Sequence, residues 1–175
     1  MVEKGIFKLV GFSNFVCQNP KSNCFHLKRF HHIEFWCTDA INRPNRFSWG
    51  LGMPIVAKSD LFIGNQVHAS YLLHSGDFNL LFTVPYSPSI FTTYNFTHTA
   101  VIPTLSHSAV SSFDDTHGLA FRAIAIEVED TITAFNASVT NGAKPLSPPV
   151  DLDGSTVVIT KIQINSDVVF RYSCS

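Results

Sequence analysis

One strand–helix unit occurs twice in this chain, about 90 residues apart. That duplication limits the possible folds more than any other feature. The first copy lies in Arg29–Met53. Ile33, Glu34, Phe35, Trp36 and Cys37 are mostly apolar, with the aromatic and β-branched members that suit a pleated surface. Asp39 or Asn42 then offers an oxygen to the free N–H groups of a helix. Phe47, Trp49 and Leu51 supply its apolar side, and Gly50 and Gly52 mark its end. The second copy lies in Phe121–Ala143. Ile124, Ile126 and Val128 alternate with Ala125 and Glu127, as in a half-buried strand. Asp130 stands at the N-cap, Ile132, Phe135 and Val139 recur at helical spacing, and Asn141-Gly142 closes the helix. Asp39 aligns with Asp130, and Gly52 with Gly142.

Each copy is followed by β-rich sequence. After the first come a short strand over Ile55–Lys58, a turn at Gly64-Asn65, and a strand in which Val67, Ala69, Tyr71 and Leu73 form one buried face. Ser75-Gly76-Asp77 makes a hairpin turn into the apolar strand Phe78–Val84, which Pro85 ends. After the second come an edge strand or extended loop rich in proline (Pro145–Pro149), a turn at Asp153-Gly154, a strand over Val157–Ile164, a turn at Asn165–Asp167, and a last strand over Val168–Tyr172. Pro44 favours a helix start at Asn42, because a start at Asp39 would place the proline inside the helix at about 3 kcal/mol. Residues 29–85 therefore form a first βαβββ module and residues 119–175 a second. The connector, 86–118, holds one short helix capped by Ser106 and stopped at His117-Gly118. The expected fold is α+β: two tandem βαβββ modules with helices outside curved mixed sheets. Pairing the modules would bury the apolar face of each sheet. Met1–Lys28 is a leading segment whose Phe7, Leu9 and Phe12 could pack on the domain, with a turn at Asn19–Ser22.

Composition narrows the function classes. The 175 residues are 45% apolar and include 16 Phe, enough for a sizeable core. Twelve basic residues against 13 acidic give a net charge of −1, which supplies no footprint for nucleic acid or an anionic membrane. No apolar run approaches the length of a membrane span. Glu3, Lys4 and Lys8 interrupt the N-terminal apolar run, so no secretory signal is expected. Cys17, Cys24, Cys37 and Cys174 lack metal-site spacing, which points to reduced thiols and a cytoplasmic chain. The patterns Asn95-Phe96-Thr97 and Asn136-Ala137-Ser138 then read as chance matches to a glycosylation site.

Seven stretches carry a resemblance: FKLVGFSNFV (7–16), KRFHHIEFWC (28–37), RFSWGLGM (46–53), VHASYLLHSGD (67–77), LFTVPYSPS (81–89), HGLAFRAIAIEVED (117–130) and DVVFRYS (167–173). In this order they resemble the N-terminal half of plant-type 4-hydroxyphenylpyruvate dioxygenases. The resemblance implies the vicinal-oxygen-chelate fold, in agreement with the repeat. It also implies the family's activity, the Fe(II)-dependent conversion of 4-hydroxyphenylpyruvate and O₂ to homogentisate and CO₂. That reaction serves tyrosine catabolism and plastoquinone and tocopherol synthesis. Family members are more than twice as long, and their iron ligands, two His and one Glu, belong to the catalytic C-terminal domain. No position here corresponds to it.

The residues of this chain do not assemble such a triad. The resemblance implies ligands from the first and last strands of a module. The first strand offers His31 and His32, but Arg122 and Ala123 stand at the equivalent positions of the second module. The last strands, 80–83 and 168–171, hold no carboxylate. His31 and His32 would point to opposite faces of a regular strand, leaving one buried and one exposed. His68, His74, His98, His107 and His117 are scattered. Glu127 and Glu129 share a strand face with carboxyls roughly 6–7 Å apart, and read as a solvated face rather than an acid pair. Trp36 and Trp49 read as core. The glycines at 50, 52 and 142 read as helix stops, not a phosphate loop. No catalytic, cofactor or metal residue is assigned. The chain is expected to be inactive alone and to partner the missing catalytic C-terminal domain or a full-length dioxygenase subunit, with a homodimer also possible. The alternative is a regulatory module that binds full-length subunits.

Overall fold

The computed structural model describes residues 24–39, 41–87, 89, 105–151, 158–165 and 167–174. The first five elements of regular length are β1 (Leu27–Trp36), α1 (Asn42–Leu51), β2 (Ile55–Ser59), β3 (His68–Ser75) and β4 (Phe78–Pro85), with one 3₁₀ turn at Leu61–Ile63. Helix α2 (His107–His117) follows. Then come β5 (Ala120–Val128), α3 (Thr131–Thr140), β6 (Lys144–Asp151), β7 (Val158–Asn165) and β8 (Val168–Cys174). The expected packing of Phe7, Leu9 and Phe12, most of the connector and the turn at Asp153-Gly154 lie outside the described residues.

The eight strands form one sheet in the order β2-β3-β4-β1-β5-β8-β7-β6. β1 runs parallel to β4 and β5 parallel to β8, while the central pair β1–β5 is antiparallel. The fold is thus α+β with a curved mixed sheet. The modules join edge to edge through β1 and β5, instead of burying one apolar face against the other. Their apolar faces are covered by their own helices. Ile33, Phe35, Phe82, Leu73 and Leu80 pack under Phe47 of α1. Ile126, Val128, Ile162, Phe170 and Tyr172 pack under Ala134 and Phe135 of α3. Ile33 faces Ile124 directly across the seam, and paired residues share a face, so α1 and α3 lie on the same, outer side.

The helix ends follow from their sequences. Asp130 accepts from the Ile132 and Thr133 N–H groups, and Ser106 accepts from Ala109 N–H. Gly52 closes α1 at φ +67°, a conformation that other residues rarely adopt. At the start of α1 the division of labour differs from expectation. Asn42 is the first helical residue, and Asp39 Oδ1 accepts from the N–H groups of Ile41 and Asn42 at 3.1 and 3.0 Å. Pro44 therefore sits in the first turn, where its missing N–H costs nothing, and it is buried.

Three burial expectations are corrected. Trp49 is 81% exposed and Leu51 is also exposed, so α1 packs through Phe47 and Pro44. Ile132 is exposed and α3 packs through Ala134 and Phe135. β3 and β5 are covered on both faces: His68 and Ser70 are buried beside Ala69, and Ala123 and Ala125 beside Val128. α2 lies against the inner side of the sheet, where Val110 and Phe113 pack on Trp36. At one outer end β6 pairs only with β7 and carries Pro145, Pro148 and Pro149; at the other, β2 pairs only with β3.

Phe82 stacks on Phe35 and meets Phe47 edge-on, both at 5.0 Å. Phe82→Ala is expected to cost about 3–5 kcal/mol in urea denaturation, and Trp49→Ala to stay within about 0.5 kcal/mol.

Candidate functional site

Alternation along β1 sends Ile33 and Phe35 outward and His32, Glu34 and Trp36 to the inner side. The inner side is not apolar. Glu34 is fully buried there, with Oε1 accepting from Thr83 Oγ1 at 2.7 Å and Oε2 from Arg171 Nη2 at 2.5 Å. Ser70 Oγ lies 3.4 Å from Thr83 Oγ1. Lys161, directly paired with Arg171 across β7–β8, is 2% exposed. His68 is buried nearby, and its Nε2 faces Asn65 Nδ2 at 3.2 Å. β5 contributes small side chains, Ala123 opposite Glu34 and Ala125 opposite His32.

Two register shifts shape this face. Phe30 pairs with Ile126 and His32 with Ala125, so His31 is an extra residue on β1. Glu34 pairs with Ala123 and Phe35 with Phe121, so Arg122 is an extra residue on β5. The first bulge overturns the expectation that His31 and His32 diverge. Their Nδ1 atoms are 2.7 Å apart and the rings meet edge-on. The second bulge turns Arg122 inward, over the Trp36 ring at 4.7 Å, with Nη1 donating to the Asp167 carbonyl.

Burial sets the protonation of the cluster. Burial alone would raise the Glu34 carboxyl, but Arg171, the Thr83 hydroxyl, His32 and Lys161 outweigh it and hold the group below the usual range. Burial, with repulsion from Arg171 and Arg122 against the pull of Glu34, pushes Lys161 down to about 7. Burial likewise brings His32 down to about 4, despite Glu34, so that the ring is neutral at pH 7. His31 and His68 are lowered too, mainly by burial. Cys37 is pushed up to about 12 by burial, which leaves an inert thiol.

These residues do not fit the ferrous ion that the family resemblance implies. Inner positions of the four central strands include His32, Glu34 and Trp36 of β1, Thr83 of β4, Ala123, Ala125 and Glu127 of β5, and Arg171 of β8. Both carboxylates among them are already held by cations, Glu34 by the Arg171 guanidinium and Glu127 by Arg29 and Lys28, and Lys161 is buried beside Arg171. Among the described residues no group of three or more His, Cys, Asp or Glu converges. The remaining sequence candidates are dispersed. Glu127 is held by Arg29 Nε at 2.6 Å and Lys28 Nζ at 3.7 Å, while Glu129 lies beyond β5 and pairs with His26. His74 meets Asn79, and His117 meets Asp167 at 2.9 Å. His98 lies outside the described residues. Sequence reasoning missed Arg171, Lys161 and Glu34 as a group. The readable signal was a charged residue flanked by apolar ones in β1 and β8, Ile33-Glu34-Phe35 and Phe170-Arg171-Tyr172; Lys161, after Thr160, gave none.

Comparison with known proteins adds the relationship. The 4-hydroxyphenylpyruvate dioxygenase of Arabidopsis thaliana is 59% identical over 167 residues, 95% of this chain. Those of Daucus carota and Hordeum vulgare are 57% and 43% identical over 95% and 88% of it. This chain matches the N-terminal part of the plant 4-hydroxyphenylpyruvate dioxygenases. It spans 37% of the Arabidopsis and carrot dioxygenases. No protein-family model matches the chain. Among solved structures, a 4-hydroxymandelate synthase variant from Streptomyces coelicolor superposes with a TM-score of 0.64 at 18% identity, over 86% of this chain and 38% of that one. Methylmalonyl-CoA epimerase from Mycobacterium tuberculosis gives 0.61 at 14% identity, over 86% and 89%. These likenesses establish the vicinal-oxygen-chelate fold.

Two stability measurements probe the cluster. Glu34→Gln strips the buried Arg171 of its counter-charge and is expected to cost about 3–5 kcal/mol at pH 7. The double change with Arg171→Met should restore most of that loss. Because the folded carboxyl titrates below its unfolded value, this stabilisation is present above the unfolded pKa and disappears as pH falls through the folded one. Lys161 behaves oppositely. Its folded pKa of about 7 lies below the unfolded 10.5, so the charged amine opposes folding at low pH and the cost fades between pH 7 and 10.5. Lys161→Met should therefore stabilise by about 1–4 kcal/mol at pH 6, with the gain vanishing in melts above pH 10.5.

Proposed function

We propose that this chain is the non-catalytic N-terminal part of a 4-hydroxyphenylpyruvate dioxygenase. The observation that carries the reading is 59% identity across 95% of the chain, against 37% of the relative's length. The inner face of the sheet supports it, since an ion pair and a lysine stand where a metal centre would need three ligands. The whole protein would use Fe(II), held by the part of the relatives that this sequence does not span. It would convert 4-hydroxyphenylpyruvate and O₂ to homogentisate and CO₂, in tyrosine catabolism and in plastoquinone and tocopherol synthesis.

In this reading the domain supports the catalytic part of the same protein or of a full-length subunit, and takes part in homodimer assembly. Exposed apolar side chains agree with a covered surface: Trp49, and Phe62 at 94% exposure next to Ile63. A cytoplasmic location fits the Cys37 and Cys174 thiols. Among the described residues no helix is long and apolar enough to cross a membrane.

The purified chain is expected to hold no stoichiometric iron and to consume no oxygen with 4-hydroxyphenylpyruvate. A chimera in which it replaces the matching part of the Arabidopsis dioxygenase should be active within about tenfold of the parent, a change of roughly 1.4 kcal/mol in the barrier. Turnover by the chain alone, or a folded but inactive chimera, would refute the reading.

A further inference from the structure

The bulge at His31 is clamped by side chains. Asn79 Nδ2 donates to the His31 carbonyl at 2.8 Å, and Asn79 Oδ1 accepts from His74 Nδ1 at 2.7 Å. The rings complete the clamp, because the Nδ1 atoms of His31 and His32 stand 2.7 Å apart. Two ring nitrogens hold such a distance only when one carries a proton and the other does not.

Burial decides which of them does. His31 is an exposed residue whose Nε2–H can be hydrated. His32 Nε2 is buried and has no partner among the described residues. A proton there would make an orphaned buried N–H group, which is rare. His32 therefore keeps its proton on Nδ1 and donates it to His31 Nδ1. This arrangement has no place for a second proton on His31. It would set two donors face to face, and moving the His32 proton to Nε2 would strand it.

The charges around the pair do not remove the conflict. His31 faces Arg29 of β1 and Glu127 of β5, but Arg29 Nε already holds Glu127 at 2.6 Å. His32 faces Glu34 of β1 and Arg171 of β8, which hold each other. His74 of β3 donates its Nδ1–H to Asn79 whether charged or neutral, so it leaves the carbonyl clamp intact. Burial, aided by Arg29, lowers His31 from the ordinary 6.5, and burial holds His32 at about 4. The exposed ring takes the first proton. With the folded value below the unfolded one, the contribution is complete above 6.5 and is lost as pH falls through the folded value.

We propose that His31 and His32 form an acid-released latch on the seam between the two modules. In the neutral pair the rings pin the β1 bulge; a proton on His31 breaks their bond and frees it. The full chain, isotopically labelled at histidine, is followed by NMR together with amide hydrogen exchange corrected for the intrinsic effect of pH. At about pH 7.5 a scalar coupling across the hydrogen bond should join the two Nδ1 atoms, with the proton on His32. At about pH 5 the coupling should be gone. Exchange at Phe30, His32, Ala125 and Ile126 should then be at least about tenfold faster relative to Tyr71 and Phe82 of the β3–β4 hairpin. Glu34 titrates below the usual carboxylate range, so its ion pair persists through this interval. His31→Ala, at an exposed position, should give the faster exchange at both pH values and no step. A missing coupling at the higher pH, the proton on His31 instead of His32, or a step that survives in His31→Ala would each overturn the proposal.

Discussion

The antiparallel pairing of β1 with β5 is the constraint on which the rest of the molecule depends. Each is the first strand of a βαβββ unit, and each also binds its own last strand in parallel. A strand with partners on both sides has no edge left to offer, so the two units become one sheet and their helices fall on a common outer side. The opposite side then has to be filled by side chains from both units. Glu34 and Arg171, 137 residues apart in sequence, meet there because β1 and β8 flank β5.

The seam is not a perfect ladder, and two of its irregularities are related. Of three register shifts along it, one leaves Lys28 and one His31 as an extra residue on β1, and one leaves Arg122 as an extra residue on β5; the last two are the pair of interest. These two positions also correspond when the repeated units are aligned. A bulge at the same place in both copies re-aims one side chain in each. On β1 it brings two imidazoles together; on β5 it sets a guanidinium on an indole. The repeat therefore preserves backbone geometry while the chemistry on it has diverged. Thr83 of β4 and Arg171 of β8, one a hydroxyl donor and the other a cation, both serve Glu34.

Much of the architecture could be read from the residues because local rules decided it. Asp130, Ser106, Gly52 and Gly76 act through their own neighbours, so the helix ends and the hairpin fell where cap and turn chemistry put them. The failures share a different origin. Trp49 reads as core by type and spacing, yet only tertiary packing decides that Phe47 and Pro44 face the sheet. His31 and His32 diverge on a regular strand, and nothing in their sequence announces a bulge. Alternating patterns in β3 and β5 assign one face to the core and the other to water, but they cannot tell water from the polar inner side of a curved sheet. Lys161 and Arg171 look like solvent-facing residues for this reason.

The two ends of the sheet are unequal. At β6, proline at three positions removes N–H donors, and register breaks at 145–147 and 147–150 disrupt what remains. No further strand can be zipped onto that end in regular fashion. β2 has no proline, and its Ile55 and Val56 are exposed. Any lateral growth of this sheet, whether orderly pairing or misassembly, is therefore one-directional, and it proceeds from the side of the first repeat.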